Sequence, residues 1–143
     1  MDSAVHIITV AQVIQQAVAP VFLLTGVGAI LNVLSSRLGR VIDRFRVLEK
    51  VPESEQAAYG TEIANLLSRS RWIHWAISLC TVCALFVCIV IAGLFIGSEM
   101  DRDPSGMVAA FFIAAMLALT AALLCFLREI YLATGSINLR KHT

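Results

Sequence analysis

Charge is what this sequence has least of. Only 15% of its 143 residues are Asp, Glu, Lys or Arg, while 59% are hydrophobic and the mean hydropathy is +0.83. An ordinary soluble domain is about a quarter charged and roughly half apolar. A chain this short cannot bury such an excess in one core, because small domains leave much of their surface exposed. The excess is expected to face lipid, which excludes a soluble enzyme, a nucleic-acid module and a disordered tail. Catalytic signatures are missing as well. There is no Gly-rich phosphate loop, nucleophile elbow or HExxH pair. The expectation is no enzyme and no cofactor. Proline is scarce, with Pro20, Pro52 and Pro104 the three examples, so each reads as punctuation.

What is there is three long uncharged stretches. Ser3 to Ser36, Ala76 to Gly97 and Met107 to Leu127 contain no Asp, Glu, Lys or Arg. About 20 apolar helical residues cross a bilayer. The predicted fold is therefore an all-α integral membrane protein with spans at 17–36, 76–97 and 107–127. The short 98–106 turn, with Pro104 and Gly106, joins the last two spans into a helical hairpin, and a tail follows over 128–143. Residues 37–75 lie between the first two spans. There Leu38, Val41, Ile42, Phe45 and Leu48 keep one apolar face, and Tyr59, Ile63, Leu66, Leu67 and Ile73 answer it on the return. Val51-Pro52 separates the two halves. The first two membrane helices thus extend into a second antiparallel hairpin outside the bilayer. Its first arm, Arg37 to Lys50, is about 20 Å long at 1.5 Å per residue. Gly60 is expected to fray the second arm or to set off a separate short element.

Orientation follows from the basic residues. Arg37, Arg40, Arg44, Arg46, Lys50, Arg69 and Arg71 occupy the first connection, and Arg128, Arg140 and Lys141 follow the third span. The positive-inside rule places both regions in the cytoplasm. The N-terminus and the 98–106 turn, where Arg102 sits among Glu99, Asp101 and Asp103, are then outside. Ala17-Val18-Ala19 imitates a small-x-small cleavage site, but no basic residue precedes the apolar run and Pro20 would follow the cut. The first span therefore reads as an uncleaved anchor.

The first uncharged run exceeds what a bilayer needs. Its surplus, 4–16, carries His6, Thr9, Gln12 and Gln16 at helical spacing and reads as an amphipathic helix on the outer interface. A break or kink is expected near Pro20, which lacks an N–H for the Gln16 carbonyl. Deeper in, Gly28, Asn32, Ser35 and Gly39 fall on one helical stripe. Small residues let helices approach closely, and an amide such as Asn32 bonds across the contact. These four are candidates for helix packing, including a homo-oligomer, or for lining a pore. In the stem, Arg37, Arg40 and Arg44, with Asp43 flanked by Arg40 and Arg46, are candidates for anionic lipid headgroups or a protein partner. Trp72, His74 and Trp75 are expected interface anchors.

Four cysteines invite a metal or redox reading, since Cys80 and Cys83 form a CxxC. A zinc site needs four converging ligands, and a redox CxxC needs a low-pKa thiol in water. Cys80, Cys83, Cys88 and Cys125 all lie inside apolar spans and read as reduced packing residues. Cys88 points away from the first two, and Cys80 shares a depth with Cys125. No metal site is expected. No Asp, Glu, Lys or Arg lies within any span, which argues against a proton pump.

The run from Ala19 to Leu34 (APVFLLTGVGAILNVL) and its continuation from Arg37 to Glu49 (RLGRVIDRFRVLE) resemble a bacterial membrane family, domain of unknown function 2721. The stretch Arg69–Cys80 and Phe126-Leu127-Arg128-Glu129 fit the same pattern. The resemblance covers roughly Val13 to Ile137. It implies a short bacterial three-span protein in the cytoplasmic (inner) membrane, and it supplies no activity, cofactor or catalytic residue. Two functions are open on the residues: a structural or accessory protein whose basic stem docks a partner or anionic lipid, and a homo-oligomeric channel lined by the polar face of the first helix.

Overall fold

In a computed structural model the described residues form three helices: α1 (Asp2–Glu49), α2 (Glu53–Glu99) and α3 (Ser105–Leu139). Residues 2–100 and 103–139 are described, without the side chains of 2–6, 8, 56 and 136–139. His6, Asp101, Arg102, Arg140 and Lys141 therefore lie outside the described side chains. Among the described residues there is no strand.

Helix ends fall where local chemistry predicts them. α1 stops at Glu49, and Pro52 immediately precedes α2, whose first turn carries Glu53 and Glu55 at the positive end of the helix dipole. α3 opens on Asp103-Pro104-Ser105. The Asp103 carboxylate accepts the Ser105 backbone N–H at 3.0 Å, as a capping side chain does, and Pro104 fills the first-turn position where no N–H is needed. That hydrogen bond holds the Asp103 carboxyl below its ordinary value.

Neither Pro20 nor Gly60 breaks its helix: α1 runs on through Pro20, and α2 through Gly60. One missing N–H or one glycine removes a few kcal/mol at most. The packing of Val13, Ala17 and Pro20, all buried, and of Leu66 beyond Gly60 keeps the flanking turns in register. α3 also continues past its uncharged stretch to Leu139.

Contacts divide the chain into two units. The first comprises 1–30 and 80–119. Its core is Val13, Ala17 and Val27 with Cys80, Cys83, Val87, Val90 and Ala115. Within it α3 returns along α2. Phe86 meets Phe111 with ring centroids 5.6 Å apart, and Gly93 and Gly97 face Met107 and Pro104. The second unit comprises 31–79 and 120–143. Leu34, Val41 and Leu48 from α1 pack with Leu66, Ile73 and Ala76 from α2 and Ala122 from α3. These positions recur every seven residues, or in alternating threes and fours, as in coiled coils. Of the apolar stripes expected in 37–75, Val41, Leu48, Leu66 and Ile73 are buried, whereas Ile42 and Leu67 are exposed at the seam's margin.

All three helices are long and apolar enough to cross a membrane. Between 17% and 28% of each apolar window is buried within the chain, so most of that surface needs an apolar environment from elsewhere.

Candidate functional site

The heptad seam of the second unit contains three charged residues. Arg37 lies three positions after Leu34 and four before Val41; Arg69 stands in the same relation to Leu66 and Ile73. Glu129 lies seven residues after Ala122, which is itself seven after Ala115. The buried alanine of the second unit lets α3 approach its neighbours, and at 129 the same face presents a long carboxylate instead. Glu129 is wholly buried, the one buried charged side chain among the described residues.

Its carboxylate is held from two directions. Arg37 donates through Nη1 to Oε2 at 2.9 Å. Arg69 donates through Nε and Nη2 to Oε1 at 3.1 and 2.8 Å. The guanidiniums are partly open, with side chains 31% and 25% exposed for Arg37 and Arg69. Arg37 also lies over the Phe126 ring, 5.2 Å from its centroid, one turn before Glu129 on α3. One residue from each helix thus converges on one layer, with two positive charges around one negative. Among the described residues no buried side-chain nitrogen or oxygen lacks a partner.

Burying an ion costs several kcal/mol, and only excellent geometry with satisfied lone pairs offsets it. The layer meets that condition. With both oxygens accepting from arginines, the carboxylate is a fastening point for three helices. A polar layer in a coiled-coil seam also fixes register, because sliding any helix by a turn would bury an unpaired charge.

A second cation–ring contact lies one turn away. Arg128 sits over Trp72, 5.9 Å from the ring centroid, and Trp72 follows Arg69 by three residues. Farther along the stem, Arg44 Nε donates to Glu62 Oε1 at 2.8 Å in an exposed pair. That bond and the Glu62 charge raise the Arg44 pKa. Such solvated pairs contribute little to stability.

The residues singled out from sequence fall into separate groups. Gly28, Asn32, Ser35 and Gly39 are each exposed, and a Cβ on Gly28 or Gly39 would meet nothing within 4 Å. They do not pack within their own chain. Arg37 belongs to the buried layer, Arg44 to the pair with Glu62, and Arg40 and Asp43 are exposed. Trp72 is half-buried beneath Arg128, while His74 and Trp75 are exposed. Gln12 and Gln16 are exposed, as are Ile7 and Ile14. The four cysteines are free, with Cys80 and Cys83 buried and Cys88 turned outward.

Sequence reasoning missed Glu129 and the role of Arg69, because both looked like ordinary charges flanking a span. The signal that could have found them is the seven-residue recurrence 115–122–129 and the matching Leu-x-x-Arg pattern on α1 and α2. Neither a curated protein nor a solved structure matches the chain. The model of one family matches residues 17–139, and the chain belongs to that family, protein of unknown function (DUF2721).

Proposed function

We propose that this chain is a non-enzymatic structural or accessory protein of the bacterial cytoplasmic membrane. Its N-terminus lies outside and its C-terminus in the cytoplasm, and its basic cytoplasmic stem, 37–75, docks a protein partner or anionic lipid. The observation that carries this reading is the Glu129 layer. The buried ionisable centre ties three helices together, with both carboxylate oxygens engaged by arginines of the same chain. The exposed charges of the stem, Arg40 and Arg46 among them, remain available for contacts. Basic residues near an anionic membrane surface contribute about 1 kcal/mol each.

The stem is tested without touching the buried layer. Arg40→Gln with Arg46→Gln should reduce recovery of co-purifying protein or anionic lipid from membranes while leaving the protein folded. Unchanged recovery of both would refute stem docking. A reporter fused after Thr143 should be active on the cytoplasmic side, and activity on the exterior would refute the orientation.

A second reading rests on Asn32, which is exposed on α1. Hydrocarbon offers an amide no partner, so a second copy or a wet axis would satisfy it. A homo-oligomer joined along Gly28, Asn32, Ser35 and Gly39 follows, and a channel lined by α1 is its open form. Crosslinking in intact membranes that yields only monomer would remove both. Flux into liposomes separates the channel from a dry interface.

A further inference from the structure

Not every cation of the second unit is committed to a carboxylate. Among the described residues Arg128 forms no ion pair, although it is exposed and seated over Trp72. It adjoins the buried layer, so three arginines and one carboxylate occupy about one turn and leave a local excess of two positive charges. Beside Arg128 an apolar groove of about 810 Å³ runs along α3, bounded by Leu124, Leu127, Ile130 and Tyr131. It is continuous through Leu124, Leu127 and Ile130 with a second depression that reaches Leu123 and Thr120. Leu124, Leu127 and Tyr131 are 60%, 62% and 74% exposed. The 124, 127/128, 131 and 134/135 positions share one helix face.

We propose that this face binds an anionic diacyl phospholipid. Its phosphate takes the Arg128 guanidinium, and an acyl chain lies along Leu127, Leu124 and Leu123. The order of residues along the face carries the assignment, for Leu123, Leu124 and Leu127 precede Arg128 and Tyr131 follows it one turn on. Trp72 holds the guanidinium 5.9 Å from its ring centroid, and a guanidinium binds phosphate through parallel N–H donors. Tyr131 supplies a further hydroxyl donor at the headgroup level, where amphipathic aromatic rings settle. A zwitterionic headgroup offers the same phosphate but cancels its charge, so the local positive excess favours a net anion. The proposal rests on the membrane reading above and adds a separate site for anionic lipid outside the stem.

The sequence contains two tryptophans, and Trp75→Phe leaves Trp72 as the sole indole. Vesicles containing this variant, doped with acyl-brominated phosphatidylglycerol or phosphatidylcholine, report which lipid contacts Trp72. About fivefold preferential quenching by phosphatidylglycerol is expected, from roughly 1 kcal/mol for one basic residue. Arg128→Gln should abolish the preference, Arg128→Lys should retain part of it, and Arg40→Gln should leave it intact. Equal quenching by both lipids, or a preference that survives Arg128→Gln, overturns the site while leaving the membrane reading standing. Loss of the preference on adding inorganic phosphate overturns it in favour of a free-anion site. Quenching by neither lipid refutes the membrane reading itself.

Discussion

Removing the Glu129 carboxylate should damage this protein more than removing any other single charge. In Glu129→Ala three charged hydrogen bonds disappear, from Arg37 and twice from Arg69. Breaking a buried pair by deleting one partner costs about 3–5 kcal/mol. Here the abandoned guanidiniums are a quarter to a third exposed and regain some water. The expected loss is therefore about 3 kcal/mol, the low end of that range. Glu129→Gln, which retains an acceptor oxygen, should lose less. Arg69→Met should cost more than Arg37→Met, because Arg69 supplies two of the three bonds. The combined variant Arg37→Met, Arg69→Met, Glu129→Leu should recover most of the stability, since a well-packed apolar layer replaces an ionic one at little cost. Reversible SDS-titrated unfolding in mixed micelles, followed by circular dichroism, measures each variant. A double-mutant cycle between positions 69 and 129 should show coupling above about 1 kcal/mol. Strict additivity, or a Glu129→Ala loss below about 1 kcal/mol, would refute the claim that this layer fastens the helices.

Three further outcomes follow from local geometry. A Cβ at Gly97 would fall against the Pro104 ring, so Gly97→Ala should destabilise by about 1–3 kcal/mol in the same titration. A Cβ at Gly93 would meet the flexible end of Met107 at 3.0 Å and Val108 at an ordinary 3.7 Å, so Gly93→Ala should be tolerated, and equal losses for both would contradict the contrast. Leu34, fully buried, should cost about 2–5 kcal/mol when replaced by alanine, whereas the exposed Val33→Ala should cost much less. The Asp103 cap has a depressed folded pKa, so its contribution is present above the ordinary aspartate value near 4 and fades as pH falls through the lower folded value. Asp103→Asn should lessen that part of the acid sensitivity of α3, read by amide hydrogen exchange at its first turn, and an unchanged acid profile would refute the cap.

Most of the fold was legible before the structure. Three uncharged stretches and three prolines marked the helices and the two connections, because lipid tolerates a spanning backbone only when its hydrogen bonds close within the segment. Pro52 and Pro104 act as read, at the starts of α2 and α3. Pro20 does not break α1, which continues through it. The site was the less legible part. Arg37 and Arg44 look alike in sequence, yet one is buried against Glu129 and the other pairs with Glu62 at the surface.

The sequence by itself determined where the helices run and how apolar they are, since those properties depend on residues close along the chain. The tertiary structure alone decided that Glu129 would be a buried partner to Arg37 and Arg69. That outcome depends on groups 92 and 60 residues apart meeting in one layer. Helical periodicity ranks the faces of a single helix. Only the convergence of three such faces determines which charge is removed from water and which cation remains at the surface.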